Sequence, residues 1–273
     1  MSVRLLPKLL ARLGIGLLLG LLLLVGPDTA VLAQANTDPA IEPLQPGQVQ
    51  TFAGIDFVFI PPGSFDMGSN GTDPGEQPIQ RVTISKGFWM GRYELTQEQW
   101  QAVMGANPAY FKGGSQLPVE MVSCNDIQAF LLKINEKYPG MGFRLPTEAE
   151  WEYACRAGTT TSYFFGNDPA LLGDYAWFAN NAGGSPHPVG QKKPNPWGLY
   201  DMSGNVWESV QDFYGLYSGH AQVDPTGPPN GECKIRRGGG WCFSPDECRS
   251  ARRLLHCLAF ANNALGFRLV KPM

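Results

Sequence analysis

The side chains of this 273-residue chain with most scope for chemistry are its cysteines, Cys124, Cys155, Cys233, Cys242, Cys248 and Cys257, and its histidines, His187, His220 and His256. Thiolates attack electrophiles, take up soft metals and oxidise in pairs. No two cysteines have zinc-ribbon spacing, and no two histidines stand four apart, which excludes a histidine-rich metal centre. Cys242, Cys248 and Cys257 fall in one block, Arg237–Val270, reading RGGGWCFSPDECRSARRLLHCLAFANNALGFRLV. Its two ends look rigid: a Gly-Gly-Gly-Trp corner at Gly238–Trp241 and a Gly-Phe-Arg strand at Gly266–Arg268. The middle fits neither a helical nor a strand period. An irregular apolar segment in a rigid frame is more often a contact surface than a core element.

The elements that must hold this block are short. Thr96 with Gln99 caps a first helix, on which Trp100, Val103 and Met104 share a face. Ser123 opens a second, with Ile127, Phe130, Leu131 and Ile134 at helical spacing. Thr147 with Glu150 opens a third, and Leu145 is placed to staple onto Trp151. Strands are expected at Phe57–Ile60, Arg81–Ile84, Gly87–Met90, Lys234–Arg236 and Phe267–Val270. There are no internal repeats. A few helices, scattered strands and many Gly- and Pro-rich turns imply an α+β fold of high loop content.

Residues 1–35 read as a signal peptide. Arg4, Lys8 and Arg12 precede the apolar run from Leu13 to Gly26, and Ala33-Gln34-Ala35 offers a cleavage site. Export permits disulfides. A polar linker, 36–47, with Pro39, Pro43 and Pro46, leads to one domain over 48–273. The formal net charge is −3 and becomes more acidic once the basic leader is removed, so nucleic acid is a poor partner. No other apolar run is long enough to span a bilayer.

Six blocks in order carry a resemblance: Asp56–Ser69, Tyr93–Trp100, Pro118–Phe130, Phe143–Gly158, Gly198–Glu208 and the C-terminal GGGW…CRSA…GFRLV. Together they resemble the formylglycine-generating enzyme (sulfatase-modifying factor) family across residues 50–270. The resemblance implies a C-type-lectin-like α+β fold. It also implies, as one activity, copper-dependent oxidation of a substrate cysteine to formylglycine, with Cys242 and Cys248 as the copper thiolates. These stand six apart where the family's pair stands five apart, so the pair does not carry over residue by residue. Asn205 and Glu208 of GNVWE resemble the family's structural calcium ligands; the alternatives are that Asn205 shapes the turn and that Glu208 pairs with an arginine. Cys155 and Cys248 match positions that imply a disulfide. Cys124 and Ser209 each stand where the family usually has Trp.

The C-terminal block also resembles the variable proteins of diversity-generating retroelements. Their framework is kept here at Gly238, Gly239, Trp241, Pro245, Cys248, Arg249, Ser250, Ala251, Arg253, Gly266, Phe267 and Arg268. The candidate variable positions are Cys242, Phe243, Ser244, Asp246, Arg252, Leu254, Leu255, His256, Cys257, Leu258, Ala259, Phe260, Ala261, Asn262, Asn263 and Ala264. Randomising the adenines of an AAC codon cannot produce Gln, Lys, Glu, Met or Trp, and none of these occurs at those positions. Such residues make up roughly a fifth of ordinary chains, so avoidance by chance is on the order of a few percent. The resemblance implies a variable region at 238–268 that binds an extracytoplasmic protein or glycan. Phe243, Leu254, Leu255, His256, Leu258 and Phe260 are its expected apolar patch.

Overall fold

The computed structural model describes residues 43–273; the expected signal peptide and linker residues 36–42 lie outside the described residues. Leu44 already packs against a buried cluster, so the ordered domain begins before residue 48. The fold is mixed helix and sheet. Among the described residues no helix is long and apolar enough to cross a membrane.

Three small sheets form the frame. In the first, β1 (Val49–Phe52), β2 (Ile55–Ile60), β5 (Phe88–Gly91) and β11 (Val270–Pro272) run in that order, all antiparallel. The two ends of the domain therefore meet in one sheet. In the second, β3 (Gly63–Met67) pairs with β4 (Gln80–Ile84), which carries β7 (Gln222–Val223). The third has the order β10-β6-β8-β9, from β10 (Leu265–Gly266), β6 (Trp207–Phe213), β8 (Cys233–Arg237) and β9 (Arg253–Cys257).

The expected helix caps are present, and each forms a capping box, that of Ser123 with Asp126 included. They open α1 (Gln97–Met104) at Thr96, α2 (Cys124–Lys137) at Ser123 and α3 (Glu148–Arg156) at Thr147. In each, the cap side chain and a side chain three residues on satisfy otherwise orphaned N–H groups. Ile127, Phe130, Leu131 and Ile134 of α2 are buried as their spacing requires. They pack with Phe57, Trp100 and Phe267, and the rings of Trp100 and Phe130 stack at 5.1 Å. Trp151 of α3 lies in a second cluster with Val58, Met67 and Met90. Leu145 belongs to the α2 cluster, not to that of Trp151, so the expected staple does not form.

Two strand expectations need correction. Phe267–Val270 is not one strand: β10 ends at Gly266, and β11 begins at Val270. The intervening Arg268 is wholly buried and held by an ion pair, not by a ladder. Arg253–Cys257, read as irregular, is the strand β9, paired antiparallel with β8. Its burial does not alternate: Arg253 and His256, on opposite faces, are both buried while Leu255 is half exposed. Polar side chains face inward because α3 and β6 supply their partners.

The candidate C-terminal ligand surface

The frame of the C-terminal block is an ion-pair network. Arg237 on β8 is fully enclosed and donates to Glu152 at 2.8 Å. Arg253 on β9 meets Glu148 through two bonds, at 2.7 and 2.9 Å. Arg268 meets Glu208 through two bonds, both at 2.6 Å. Outside the core, Arg249 forks onto Glu76 at 2.8 Å. Gly239 makes the corner possible: its φ is +79°, and a Cβ there would sit 2.5 Å from the Cys248 sulfur. Only glycine meets both conditions without strain.

The segment inside this frame is anchored through its backbone. The Leu258 carbonyl accepts from Cys124 N–H, and the Asn262 carbonyl from Met121 N–H, both at the entry to α2. The Asn263 carbonyl accepts from the Trp241 indole at 2.9 Å. The Phe243 carbonyl accepts from Ala179 N–H. Two of its side chains bond locally: Asn262 accepts from Ala264 N–H, and Asp246 from Arg249 Nε at 2.7 Å. Of the expected surface residues, Cys242, Ser244, Asp246, Leu255, Cys257, Ala259 and Phe260 are exposed, and Phe243, Leu254, Leu258, Ala261, Asn262 and Asn263 are half-buried.

Three expected positions are not on display. Ala264 is enclosed. Arg252 is tied to Glu247 at 3.0 Å and to Asp73. His256 is 3% exposed, its Nε2 lying 3.2 Å from Ser209 Oγ and its ring within 4 Å of Cys124 Sγ. Burial first, then the charge of Arg236, lowers its pKa to about 4. Burial likewise pushes the Cys124 thiol up. This trio is therefore neutral and packed, without the charge separation of an activated nucleophile.

At the centre of the surface stands a residue that sequence reasoning passed over. Arg236 on β8 faces Leu254 on β9. Its guanidinium carbon lies 5.1 Å from the Trp207 ring centroid and 5.7 Å from that of Phe260. Phe243 meets Trp207 edge-on at 5.5 Å. Arg236 Nε and Nη1 are buried without an acceptor, and so is Trp207 Nε1. Burial lowers the Arg236 pKa, partly offset by Glu247 and Cys242, yet a guanidinium stays charged at any physiological pH. While Arg237, Arg249, Arg252, Arg253 and Arg268 all have carboxylates, Arg236 has none. The sequence signal was its place beside the corner, masked by the adjacent framework Arg237.

The residues expected to hold metals do not fit them. Both Glu208 oxygens face Arg268, and one also accepts from the Trp151 indole at 2.8 Å. Asn205 Oδ1 accepts from His187 N–H, and its amide donates to Glu94. The φ of Asn205, +62°, marks it as the turn former. Neither offers oxygen to calcium. Of the expected copper pair, Cys242 is exposed whereas Cys248 is wholly enclosed with Tyr163, Leu172 and Phe178. Burial pushes the Cys248 thiol up to about 12. The expected Cys155–Cys248 disulfide is not formed. Cys155 instead points to the Met202 carbonyl at 3.7 Å, and both are free thiols.

The model of the sulfatase-modifying factor enzyme 1-like domain matches residues 44–273. The chain belongs to this family. Within it, the chain is 32% identical over 245 residues to the chaperone protein LppX of Paenibacillus barcinonensis, covering 71% of this chain and 81% of that one. It is 29% identical to the formylglycine-generating enzyme of Bos taurus, covering 77% and 73%. Among solved structures, Treponema denticola variable protein 1 superposes with a TM-score of 0.76 at 31% identity, covering 83% of this chain and 99% of that one. One sulfatase-modifying-factor fold thus underlies relatives with different names, and the fold alone does not assign an activity.

Proposed function

We propose that this protein is an exported ligand-binding protein. It presents a diversified surface, residues 242–263 around Arg236, on the sulfatase-modifying-factor scaffold, to a protein or glycan outside the cytoplasm. The observation that carries this reading is the separation of anchoring from display. Main-chain bonds hold residues 258–263 to Met121, Cys124 and Trp241, while Leu255, Ala259 and Phe260 project outward. Side chains can change there without dismantling the segment. The residue alphabet of the segment and the likeness to a variable protein support diversification, and the basic, Leu-rich leader supports export.

Arg236 adds a chemical preference. A guanidinium lacking acceptors, between two aromatic rings, favours a ligand carrying a carboxylate or another planar anion. Phe243, Leu254 and Phe260 around it would supply the apolar contact that dominates affinity.

The test is a binding screen of the full exported chain against extracellular glycans and peptides, run beside Phe260→Ser and Leu255→Ser. A ligand whose affinity drops tenfold or more in both variants supports the reading. Ligands indifferent to both changes would place recognition elsewhere. For diversification, the DNA beside the gene should contain a near-copy of the codons for 237–268, differing only at adenines. A locus without one removes that part alone.

A further inference from the structure

Cys233 and Cys257 are the two cysteines whose sulfurs approach, 3.7 Å apart. They are direct partners at the open end of the β8–β9 ladder. The Cys233 carbonyl is turned away from β9, accepting from Tyr214 N–H at 2.9 Å, and the Cys257 carbonyl is turned to Phe260 N–H at 2.9 Å. Neither is available to the other strand, so this is a non-hydrogen-bonded pair, the register in which Cα atoms lie about 4.5 Å apart and side chains are nearest. That spacing is within the range a disulfide spans, and closing to a bond of about 2 Å requires side-chain rotation, not backbone travel. Cys257 is exposed and Cys233 half-buried, so reagent reaches the pair from solvent. Cys257 immediately precedes Leu258, where the displayed segment leaves the sheet.

We propose that Cys233 and Cys257 are a redox modification site: a cross-strand dithiol that small-molecule disulfides convert to a disulfide, fixing the root of segment 258–263 to β8. The chemistry is two thiol–disulfide exchanges. The Cys257 thiolate attacks one sulfur of the reagent; the reagent S–S bond breaks, a mixed disulfide forms on Cys257, and one small thiol leaves with a proton. Cys233 then attacks the Cys257 sulfur; the mixed disulfide breaks, the Cys233–Cys257 bond forms, and the second small thiol leaves with the second proton. Two electrons pass from the protein dithiol to the reagent. The order follows from access, and from the hydrogen bond to Cys257 that raises the Cys233 pKa and keeps its proton in place. The bridge would hold the segment's root whatever residues it displays. An exposed bridge of this kind is reducible, so the restraint is reversible.

The purified full chain, fully reduced, is exposed to oxidised glutathione and analysed by intact mass and by peptide mapping. The expected result is loss of two hydrogens, a single linked peptide joining Cys233 to Cys257, and Cys242 still alkylatable. Hydrogen exchange across 258–263 should slow on oxidation and recover with reductant. Cys233→Ser should trap a stable glutathione adduct on Cys257, and Cys242→Ser should change nothing. Stable adducts on the wild-type Cys257 would overturn the proposal. So would a bridge to Cys242, or a Cys233–Cys257 bridge that leaves exchange in 258–263 unaltered. None of these readouts depends on finding a ligand, so the dithiol and the binding surface stand or fall separately.

Discussion

Glu208 and Arg268 form an ion pair in which both side chains are entirely enclosed, with both nitrogen–oxygen bonds at 2.6 Å. The pair crosses from β6 to the segment between β10 and β11 and fixes the C-terminal frame to the sheet. Removing one charge would strand the other in the core, at about 3–5 kcal/mol. Glu208→Gln is therefore expected to lower the melting temperature by roughly 10 °C. Chelation with EGTA should leave the melting temperature unchanged, because Glu208 and Asn205 have no oxygen to give. A calcium-reversible drop of several degrees would refute this.

His256 makes stability sensitive to acid. Its ordinary pKa of 6.5 falls to about 4 in the fold, so between those values the unfolded chain binds more protons than the native one. Stability then declines as pH falls from about 6.5 to 4 and is unaffected by this group above that range. The full shift corresponds to about 3 kcal/mol. His256→Leu loses the contact with Ser209 at neutral pH, yet its melting temperature should change less between pH 7 and pH 4.5. Parallel pH profiles for the two proteins would show that His256 is not the sensor.

The helices were legible in the sequence because local rules alone decide them: Thr96, Ser123 and Thr147 each begin a capping box, and α2 repeats its apolar face at helical spacing. The frame of the C-terminal block was legible too, since its glycines and arginines have few substitutes. What lay beyond reach was set by tertiary partners. β9 buries Arg253 and His256, on its two opposite faces, and exposes Leu255, a pattern that does not alternate, because Glu148 meets the arginine on one side and Ser209 the histidine on the other. Glu208 took an arginine sixty residues away in preference to a cation. Arg236 was unreadable for the opposite reason: its significance is a partner it lacks, and sequence does not record that.

The thiols differ in access. Cys242 is exposed, whereas Cys155 and Cys248 are buried with thiols held near 12. Alkylation of the native protein should label Cys242 promptly and leave Cys155 and Cys248 untouched until denaturant is added. Titration with Cu(I) should show no stoichiometric site that Cys248→Ala abolishes. Rapid native labelling of Cys248, or copper uptake that depends on it, would revive the oxidase reading.

Arg236 should trade stability against binding. Its Nε and Nη1 are buried without acceptors beside Trp207, and a polar group left so costs about 1–3 kcal/mol. Arg236→Met keeps the stem that packs between Trp207 and Phe260 and removes the charge. The variant is expected to melt about 2–4 °C higher than the wild type, taking a gain of about 1 kcal/mol. Its affinity for a carboxylate-bearing ligand should fall at least tenfold, while purely apolar contacts through Phe260 and Leu255 persist. A framework residue would behave differently: truncating Arg237 or Arg253 removes a buried partner of Glu152 or Glu148 and lowers stability whether or not ligand is present. If Arg236→Met melts several degrees lower, the guanidinium is holding the fold together and the anion preference assigned to this surface is wrong.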